Sequence, residues 1–155
     1  MGFGETSKDG DSHLPVGYFL HRVIKDINVI ICSSIPIDKF LPNKYYRSVA
    51  EIDYAIYIIK KYSIGKIQYV FQKDPILKII ALSVIEEYQN KSIGRKLMIE
   101  ALKDAQKQNI KTVQLDCIGA SSDKHNLYIK LGMKYVNKKE GPEMIGSVDE
   151  ILFTV

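Results

Sequence analysis

Short apolar runs separated by turn residues organise the first half of this 155-residue chain. Alternation predicts a strand over Gly17–Val23, and Asp26 is a suitable cap for a short helix over Ile27–Cys32. A loop around Pro36 follows, because the residue before a proline is disfavoured in helices, and a second short helix is expected over Lys44–Glu51. Turn residues then separate three predicted strands, which are expected to be antiparallel neighbours: Tyr54–Lys60, Lys66–Gln72 and Leu77–Ile85.

The second half of the pattern alternates helices with strands. The run from Ile79 to Ile85 is apolar on both faces, which is typical of a central strand. A long helix begins after Ser92, and its apolar stripe consists of Leu97, Met98, Ala101, Leu102 and Ala105. The remaining predicted elements are a strand over Lys111–Ile118, a helix over Ser122–Leu131 ended by Gly132, and strands over Met133–Asn137 and Glu150–Val155. The predicted fold class is therefore mixed α/β, of the α+β kind.

Composition and charge limit the classes of protein. The length suits one domain, expected over residues 14–155 behind a flexible tail over residues 1–13. A net charge of +4 is too small to indicate a nucleic-acid partner, but it favours an anionic cofactor. Cys32 and Cys117 lie too far apart for a metal-binding motif, so no metal site is expected.

The expected compartment is the cytoplasm or the nucleus. No apolar run approaches the length of a transmembrane segment, and no signal-peptide pattern is present. The start at Gly2 loosely fits the N-myristoylation pattern, although the bulky Phe3 favours a plain flexible tail.

The stretch from Ile79 to Met98 joins an apolar strand to a helix through a short polar turn. Unpaired backbone N–H groups and the positive end of the helix dipole converge at such a turn, so it can bind an anion. A pyrophosphate fits this site without a metal. An ordinary strand-to-helix turn is the alternative interpretation.

Two motifs in this order carry a resemblance to a known family. The turn reads Gln89-Asn90-Lys91-Ser92-Ile93-Gly94, and the later helix reads Asn126-Leu127-Tyr128-Ile129-Lys130-Leu131-Gly132-Met133. Together they resemble the GNAT superfamily of acetyl-CoA-dependent N-acetyltransferases, best over residues 79–135. The resemblance implies a central, mostly antiparallel sheet of about six to seven strands, splayed at the cofactor site, with about four helices.

The resemblance also implies acetyl-CoA as the cofactor and assigns residues to it. The pantetheine arm is expected along the backbone of Leu82, Ser83, Val84 and Ile85. The pyrophosphate is expected on Gln89, Asn90, Lys91, Ser92, Ile93, Gly94 and Arg95, although Ser92 replaces the first glycine of the family motif. Asn126 and Lys130 are expected to contact the arm and the 3′-phosphate. Tyr128 is the candidate acid, because a phenol with a pKa near 10 can protonate a leaving thiolate.

Within the superfamily, the chain is most similar to N-terminal (Nα) acetyltransferase catalytic subunits of the San/NatE type. The similarity lies in Ile35-Pro36-Ile37 and Lys44-Tyr45-Tyr46, and it implies that Pro36, Ile37, Tyr45 and Tyr46 bind the substrate. An auxiliary subunit is a further partner implied by this similarity. The chain departs from these relatives at Lys78 and Asp116, which stand where they carry a catalytic tyrosine and a histidine.

The general base is not fixed by these residues. Asp116 is the candidate that orients a water molecule, and Glu86, Glu87 and His125 are alternatives. A mechanism without a dedicated base is also open, because an α-amine with a pKa near 8 is partly neutral at physiological pH.

Three functions follow from these expectations. The first is transfer of acetyl to the α-amine of protein N-termini, by direct attack in a ternary complex. The second is acetylation of a small molecule such as an amino-sugar phosphate, which would require a basic residue (Lys39, Lys44 or Arg47) in the acceptor pocket. The third is a non-catalytic subunit that binds acetyl-CoA.

Overall fold

A single sheet of seven strands forms the centre of the computed structural model, which describes residues 17–40, 48–136 and 142–155. The strand order is β1-β2-β3-β4-β5-β7-β6, and only β4 and β5 pair in parallel. The strands are β1 (Tyr18–Ile24), β2 (Ile27–Ser33), β3 (Ser63–Gln72), β4 (Ile76–Val84), β5 (Thr112–Asp116), β6 (Lys134–Tyr135) and β7 (Glu143–Ser147). The α-helices of the described ranges are α1 (Val49–Tyr62), α2 (Ile93–Lys107), α3 (Ser122–Leu131) and α4 (Val148–Thr154). The predicted fold class is confirmed, and β4 is the central strand as expected.

The short helix predicted after Asp26 is wrong, because Ile27–Ser33 is β2. Lys25 and Asp26 have φ angles of +49° and +69°, so they form the two-residue turn of a tight hairpin in which Ile24 faces Ile27. The following run is rich in β-branched residues, which pack well on a pleated surface. Pairing with β1 and β3 therefore decides its conformation.

The structure also replaces two predicted elements by one helix. Residues 54–60 are not a strand but part of α1, and the described part of the helix predicted over Lys44–Glu51 belongs to α1 as well. Ser48 caps α1 by accepting a hydrogen bond from the Glu51 N–H at 3.2 Å. Ala55 and Ile58 are buried at helical spacing. The turn expected between the predicted strands that end at Lys60 and begin at Lys66 is absent, because residues 63–65 are the start of β3.

The last predicted strand is wrong too. Residues 148–154 form α4, which is capped by Ser147 through a hydrogen bond from the Glu150 N–H at 3.2 Å. The strand that completes the sheet is β7, which was not predicted and pairs with both β5 and β6. The elements predicted for α2, α3 and β5 are present within two or three residues of their expected ends.

Helices cover both faces of the sheet. The predicted stripe on α2, from Leu97 to Ala105, is fully buried against the larger core cluster. On the opposite face, α1 contributes Ile58 to a smaller cluster with Leu20 and Ile37. Among the described residues, no helix is both long enough and apolar enough to cross a membrane. The two faces are called the α2 side and the α1 side below.

Candidate functional site

The edge of β4 separates from β5 halfway along the sheet. The parallel pairing runs only from Ile76 opposite Thr112 to Ile79 opposite Leu115, whereas β4 continues to Val84. The pairing with β3 shifts at the same place: Tyr69 lies opposite Ile79, but Gln68 lies opposite Ala81. Ile80 is therefore an extra residue in β4, which is a β-bulge. A bulge bends the strand that carries it and increases its twist. Residues 80–84 therefore form an open edge that faces β5 without pairing to it.

Two backbone carbonyls on this open edge are held by side chains. The Leu82 carbonyl accepts a hydrogen bond from the Lys124 ammonium, and the Val84 carbonyl accepts one from Gln89 Nε2 at 2.9 Å. The N–H and C=O of one strand residue point to the same side, so the N–H groups of Leu82 and Val84 also face the gap. The open edge thus offers the hydrogen-bonding pattern that an added strand would use.

The turn after β4 presents backbone N–H groups at the start of α2. Asn90 and Ser92 have φ angles of +62° and +67°, and Ser92 makes no side-chain capping bond. The first turn closes with the Lys96 N–H donating to the Ser92 carbonyl at 3.0 Å. The N–H groups of residues 93–95 precede this bond and have no intrahelical acceptor. Left-handed residues beside a helix N-terminus form a site suited to an anion.

These features border one cleft of about 440 Å³, called here the α2-side cleft. In its described lining, the charged residues are Arg95, Lys124, Lys130 and one carboxylate, Asp123. The predicted cofactor residues that it brings together are Leu82, Val84, Gln89, Asn90, Ser92, Ile93, Gly94, Arg95, Asn126 and Lys130. Four other predicted cofactor residues are not in the described lining of the cleft: Ser83, Ile85, Lys91 and Tyr128.

A second depression of about 720 Å³, called here the α1-side groove, lies on the other face of the sheet. It runs between α1 and the strands, and it is mostly apolar. Its lining comprises Leu20, Arg22, Ile24, Ile31, Ile56, Ile59, Lys60, Ser63, Gly65, Lys66, Ser83, Val84 and Ile85. Val84 lines both the cleft and the groove, so the two meet at the open edge of β4.

Comparison with known proteins identifies the family. The profile of the acetyltransferase (GNAT) family matches residues 34–133, which is more than half of the chain. The chain belongs to the GNAT acetyltransferase family. It is accordingly an N-acetyltransferase with acetyl-CoA as the donor, as the two sequence motifs predicted. The comparison with curated protein sequences found no significant match.

Solved GNAT structures share the fold at low sequence identity. A GNAT acetyltransferase from Staphylococcus aureus Mu50 superposes with a TM-score of 0.56 at 14% identity, covering 79% of this chain and 68% of that chain. The PaiA N-acetyltransferase from Thermoplasma acidophilum, solved with coenzyme A, gives a TM-score of 0.52 at 21% identity over 77% and 58% of the two chains. Ard1 from Thermoplasma volcanium gives 0.50 at 18% identity over 57% and 66%. The similarity to San/NatE-type enzymes is not confirmed by these matches.

The α2-side cleft fits the donor of a GNAT enzyme. The uncapped start of α2 and the nearby Arg95 suit the pyrophosphate, and Lys130 supplies a further positive charge. The open edge of β4 suits an arm that pairs like a strand, because Leu82 and Val84 present their backbone groups to the gap. An ideal Cβ on Gly94 would lie 3.4 Å from Leu127 and 3.9 Å from Leu82. Because Gly94 has no side chain, this part of the cleft stays open.

The candidate acid Tyr128 lies on α3 and is not among the described residues that line the α2-side cleft. Its side chain is buried, whereas the preceding residues Asn126 and Leu127 line the cleft. Burial, and secondarily the nearby Cys117, raises the pKa of Tyr128 to about 12. The phenol therefore keeps its proton at neutral pH. Its role as the acid stays a prediction.

The candidate bases are engaged elsewhere. Asp116 is exposed at the end of β5, where its Oδ1 accepts a hydrogen bond from the Ile118 N–H at 2.8 Å. His125 Nδ1 lies 2.7 Å from the Tyr135 hydroxyl. Within the described lining, neither side chain reaches the α2-side cleft or the α1-side groove. The assignment of Asp116 as the base remains untested.

The predicted acceptor residues are only partly described. Ile37 is completely buried in the smaller core cluster and Pro36 is exposed, and neither lines the groove as described. Tyr45 and Tyr46 lie outside the described residues, as do Lys44, Arg47, Gly2 and the predicted tail. Their roles stay predictions.

Sequence reasoning missed the three cations that line the groove, Arg22, Lys60 and Lys66. The signal for Arg22 was present, since Leu20, Arg22 and Ile24 share one face of β1 by the period of two. Lys60 was missed because residues 54–60 were interpreted as a strand. On the helix that they form, Ile56, Ile59 and Lys60 lie on one face, whereas alternation along a strand would not group them.

Proposed function

We propose that this enzyme acetylates the α-amine of peptide or protein N-termini by direct attack in a ternary complex. The observation that carries the proposal is the meeting of the α2-side cleft and the α1-side groove at Val84. Donor and acceptor approach the open edge of β4 from opposite faces of the sheet, so no acyl-enzyme is required. Holding both reactants at one point is itself a large source of rate enhancement.

The length of the groove supports a peptide acceptor. The strand register places one residue from each of β4, β3, β2 and β1 in a row across the sheet: Ser83, Lys66, Ile31 and Leu20. Three spacings of about 4.8 Å make this row about 14 Å long. An extended peptide advances about 3.4 Å per residue, so four to five residues fit along it. The length and the apolar floor of the groove favour a peptide, whereas its three cations would also suit the phosphate of an amino sugar, so the acceptor assay below includes both.

The charge of the groove supports an α-amine rather than a lysine side chain. No carboxylate or imidazole is found in its described lining, so a dedicated base is absent from these residues. An α-amine has a pKa near 8 and a lysine near 10.4, so the neutral fraction at pH 7.4 is a few hundredfold higher for the α-amine. Arg22, Lys60 and Lys66 further disfavour an ammonium group in the groove.

In this reaction, the start of α2, the open edge of β4 and Tyr128 each have a separate role. Bound acetyl-CoA supplies an activated acetyl thioester. The N–H groups of residues 93–95 and Arg95 hold phosphate, and the backbone of Leu82 and Val84 fixes the orientation along β4. Tyr128 is the candidate proton donor to the leaving thiolate, and it keeps its proton at neutral pH because its pKa is raised to about 12; the same shift makes it a weaker acid than a free phenol.

The test is release of free thiol from acetyl-CoA with three acceptors. We expect release with a peptide that has a free apolar N-terminus. We expect none with the same peptide when it is N-formylated and carries an internal lysine, and none with glucosamine 6-phosphate. Turnover of the sugar phosphate alone would instead support the small-molecule function. Coenzyme A binding without turnover of any amine would support a non-catalytic subunit.

A further inference from the structure

We propose that the α1-side groove selects N-termini in which an apolar first residue is followed by acidic residues. Lys66 would bind a carboxylate at the second position, and Arg22 one at about the fifth. This inference rests on the proposed peptide acceptor and adds a sequence preference to it.

The charged residues in the described lining of the groove favour an acidic ligand. Arg22, Lys60 and Lys66 are its only charged residues in the described lining, and all three are positive. None of them forms an ion pair within the described ranges, where the salt bridges are His21–Asp104, Lys103–Glu100 and Lys111–Asp149. Three cations along one groove, without counter-charges in its described lining, attract an anionic ligand and disfavour a basic one.

The strand register gives the positions. Lys66 lies directly opposite Ser83, one strand spacing of about 4.8 Å from the open edge where the amine reacts. This distance corresponds to about one residue of extended chain, which is the second residue of the acceptor. Arg22 lies on β1, two residues along from Leu20, so it is about 14 Å from the edge across the strands and about 7 Å to the side of the row. The straight distance of about 16 Å matches about the fifth residue.

The first residue meets a different surface. Val84 lies at the junction, and Ile85 beside it is 42% exposed. Farther along the groove, Ile31 and Leu20 continue the apolar floor between the cations. An exposed isoleucine at the reacting end favours a first side chain that covers it, because burying apolar surface is favourable.

The experiment compares peptides that differ at one position. Three peptides begin with Met and carry Glu, Gln or Lys at the second position, with the rest of the sequence identical and neutral. We expect kcat/KM to fall about tenfold from Glu to Gln and further to Lys, chiefly through KM. The same order is expected for peptide affinity, measured by fluorescence polarisation of C-terminally labelled peptides on the protein with coenzyme A. The preference should shrink as ionic strength is raised.

Variants assign the preference to a residue. Lys66→Gln should abolish discrimination between Glu and Gln at the second position, and Lys66→Glu should reverse it in favour of Lys. Arg22→Gln should leave the second position unchanged and remove a preference for Glu at the fifth. The control is Lys107→Gln, which makes the same charge change at the exposed end of α2 and should change nothing.

The outcomes separate this inference from the proposed function. Efficient turnover of all three peptides at equal rates would overturn the acidic preference and leave the peptide acceptor intact. Absence of turnover with every peptide would overturn the proposed function. In that case, equal affinities of the three peptides in the polarisation assay would overturn the acidic preference independently.

Discussion

Tyr128 shows how environment sets the chemistry of a single side chain. Its side chain is buried near Cys117, and desolvation raises its pKa to about 12. A phenol in this state remains a proton donor throughout the range in which an α-amine becomes neutral. The pH dependence of the reaction should therefore follow the amine, not the tyrosine.

Replacing Tyr128 by phenylalanine tests its role as the acid. We expect kcat to fall about 100-fold, the lower end of general acid catalysis, with coenzyme A affinity little changed. For the unmodified enzyme, kcat/KM should rise with pH through about 8 and remain level to about pH 10. Steady-state kinetics from pH 6 to 10 measure both effects. Full turnover by Tyr128→Phe, with unchanged thermal stability, would refute the role.

Ser92 is the second informative residue, because its φ of +67° is a conformation that glycine adopts without strain. The family motif has glycine at this position. The chain keeps the left-handed turn in spite of the serine Cβ, so the backbone shape at the start of α2 does not depend on that glycine.

At the scale of secondary-structure elements, β4 and α2 together provide an unpaired strand edge and a helix N-terminus that border the same cleft. The bulge at Ile80 opens the edge of β4, and the following turn aims the start of α2 at the same cleft. Gly94 lies where the two meet, with Leu82, Val84 and Leu127 within 3.9 Å of an ideal Cβ. These are ordinary contacts, so the fold has room for a methyl group there while the cleft loses volume.

Gly94→Ala should therefore separate stability from binding. Alanine favours a helix over glycine, so the free energy of unfolding should stay level or rise by up to about 1 kcal/mol. Affinity for coenzyme A should fall several-fold, because the methyl group enters the α2-side cleft. Urea unfolding and calorimetric titration measure the two quantities, with Lys107→Ala on the same helix as the control. Unchanged affinity would contradict the assignment of this cleft to the donor.

At the scale of the whole molecule, the core contains acids that are neutral at physiological pH. Burial raises the pKa of Cys32 to about 11 and that of Tyr128 to about 12. Burial, and then the hydrogen bond from the Tyr69 hydroxyl to Asp104 at 2.7 Å, raises the pKa of Tyr69 above its usual value. All three lie in the core that joins α2 and α3 to the sheet.

These groups predict loss of stability at alkaline pH. Their folded pKa values are raised, so above about pH 9 for Cys32 and pH 10 for the tyrosines the unfolded chain loses protons that the folded protein keeps. The free energy of unfolding should then fall by up to about 1.4 kcal/mol per pH unit for each group. Urea midpoints at pH 8, 10 and 11 measure the trend. A Tyr69→Phe variant should show a shallower decline, and a flat profile would contradict the prediction.

The sequence by itself determined the parts of the site that depend on neighbours along the chain. The stripe from Leu97 to Ala105, the turn from Gln89 to Gly94 and the glycine end of α3 are local patterns, and the structure has α2, the turn and α3 where they were expected. Because the family motifs lie in these segments, the fold class and the donor followed from them.

Only the tertiary structure decided the α1-side groove, which is the proposed acceptor site. Residues 27–33 form a strand and residues 54–60 a helix because of their partners in the sheet and the smaller core cluster, and their β-branched residues do not reveal this. The groove combines residues from β1 to β4 and α1, and its cations are brought together by strand register rather than by spacing in the sequence. Long-range pairing thus created a surface that no local pattern encodes.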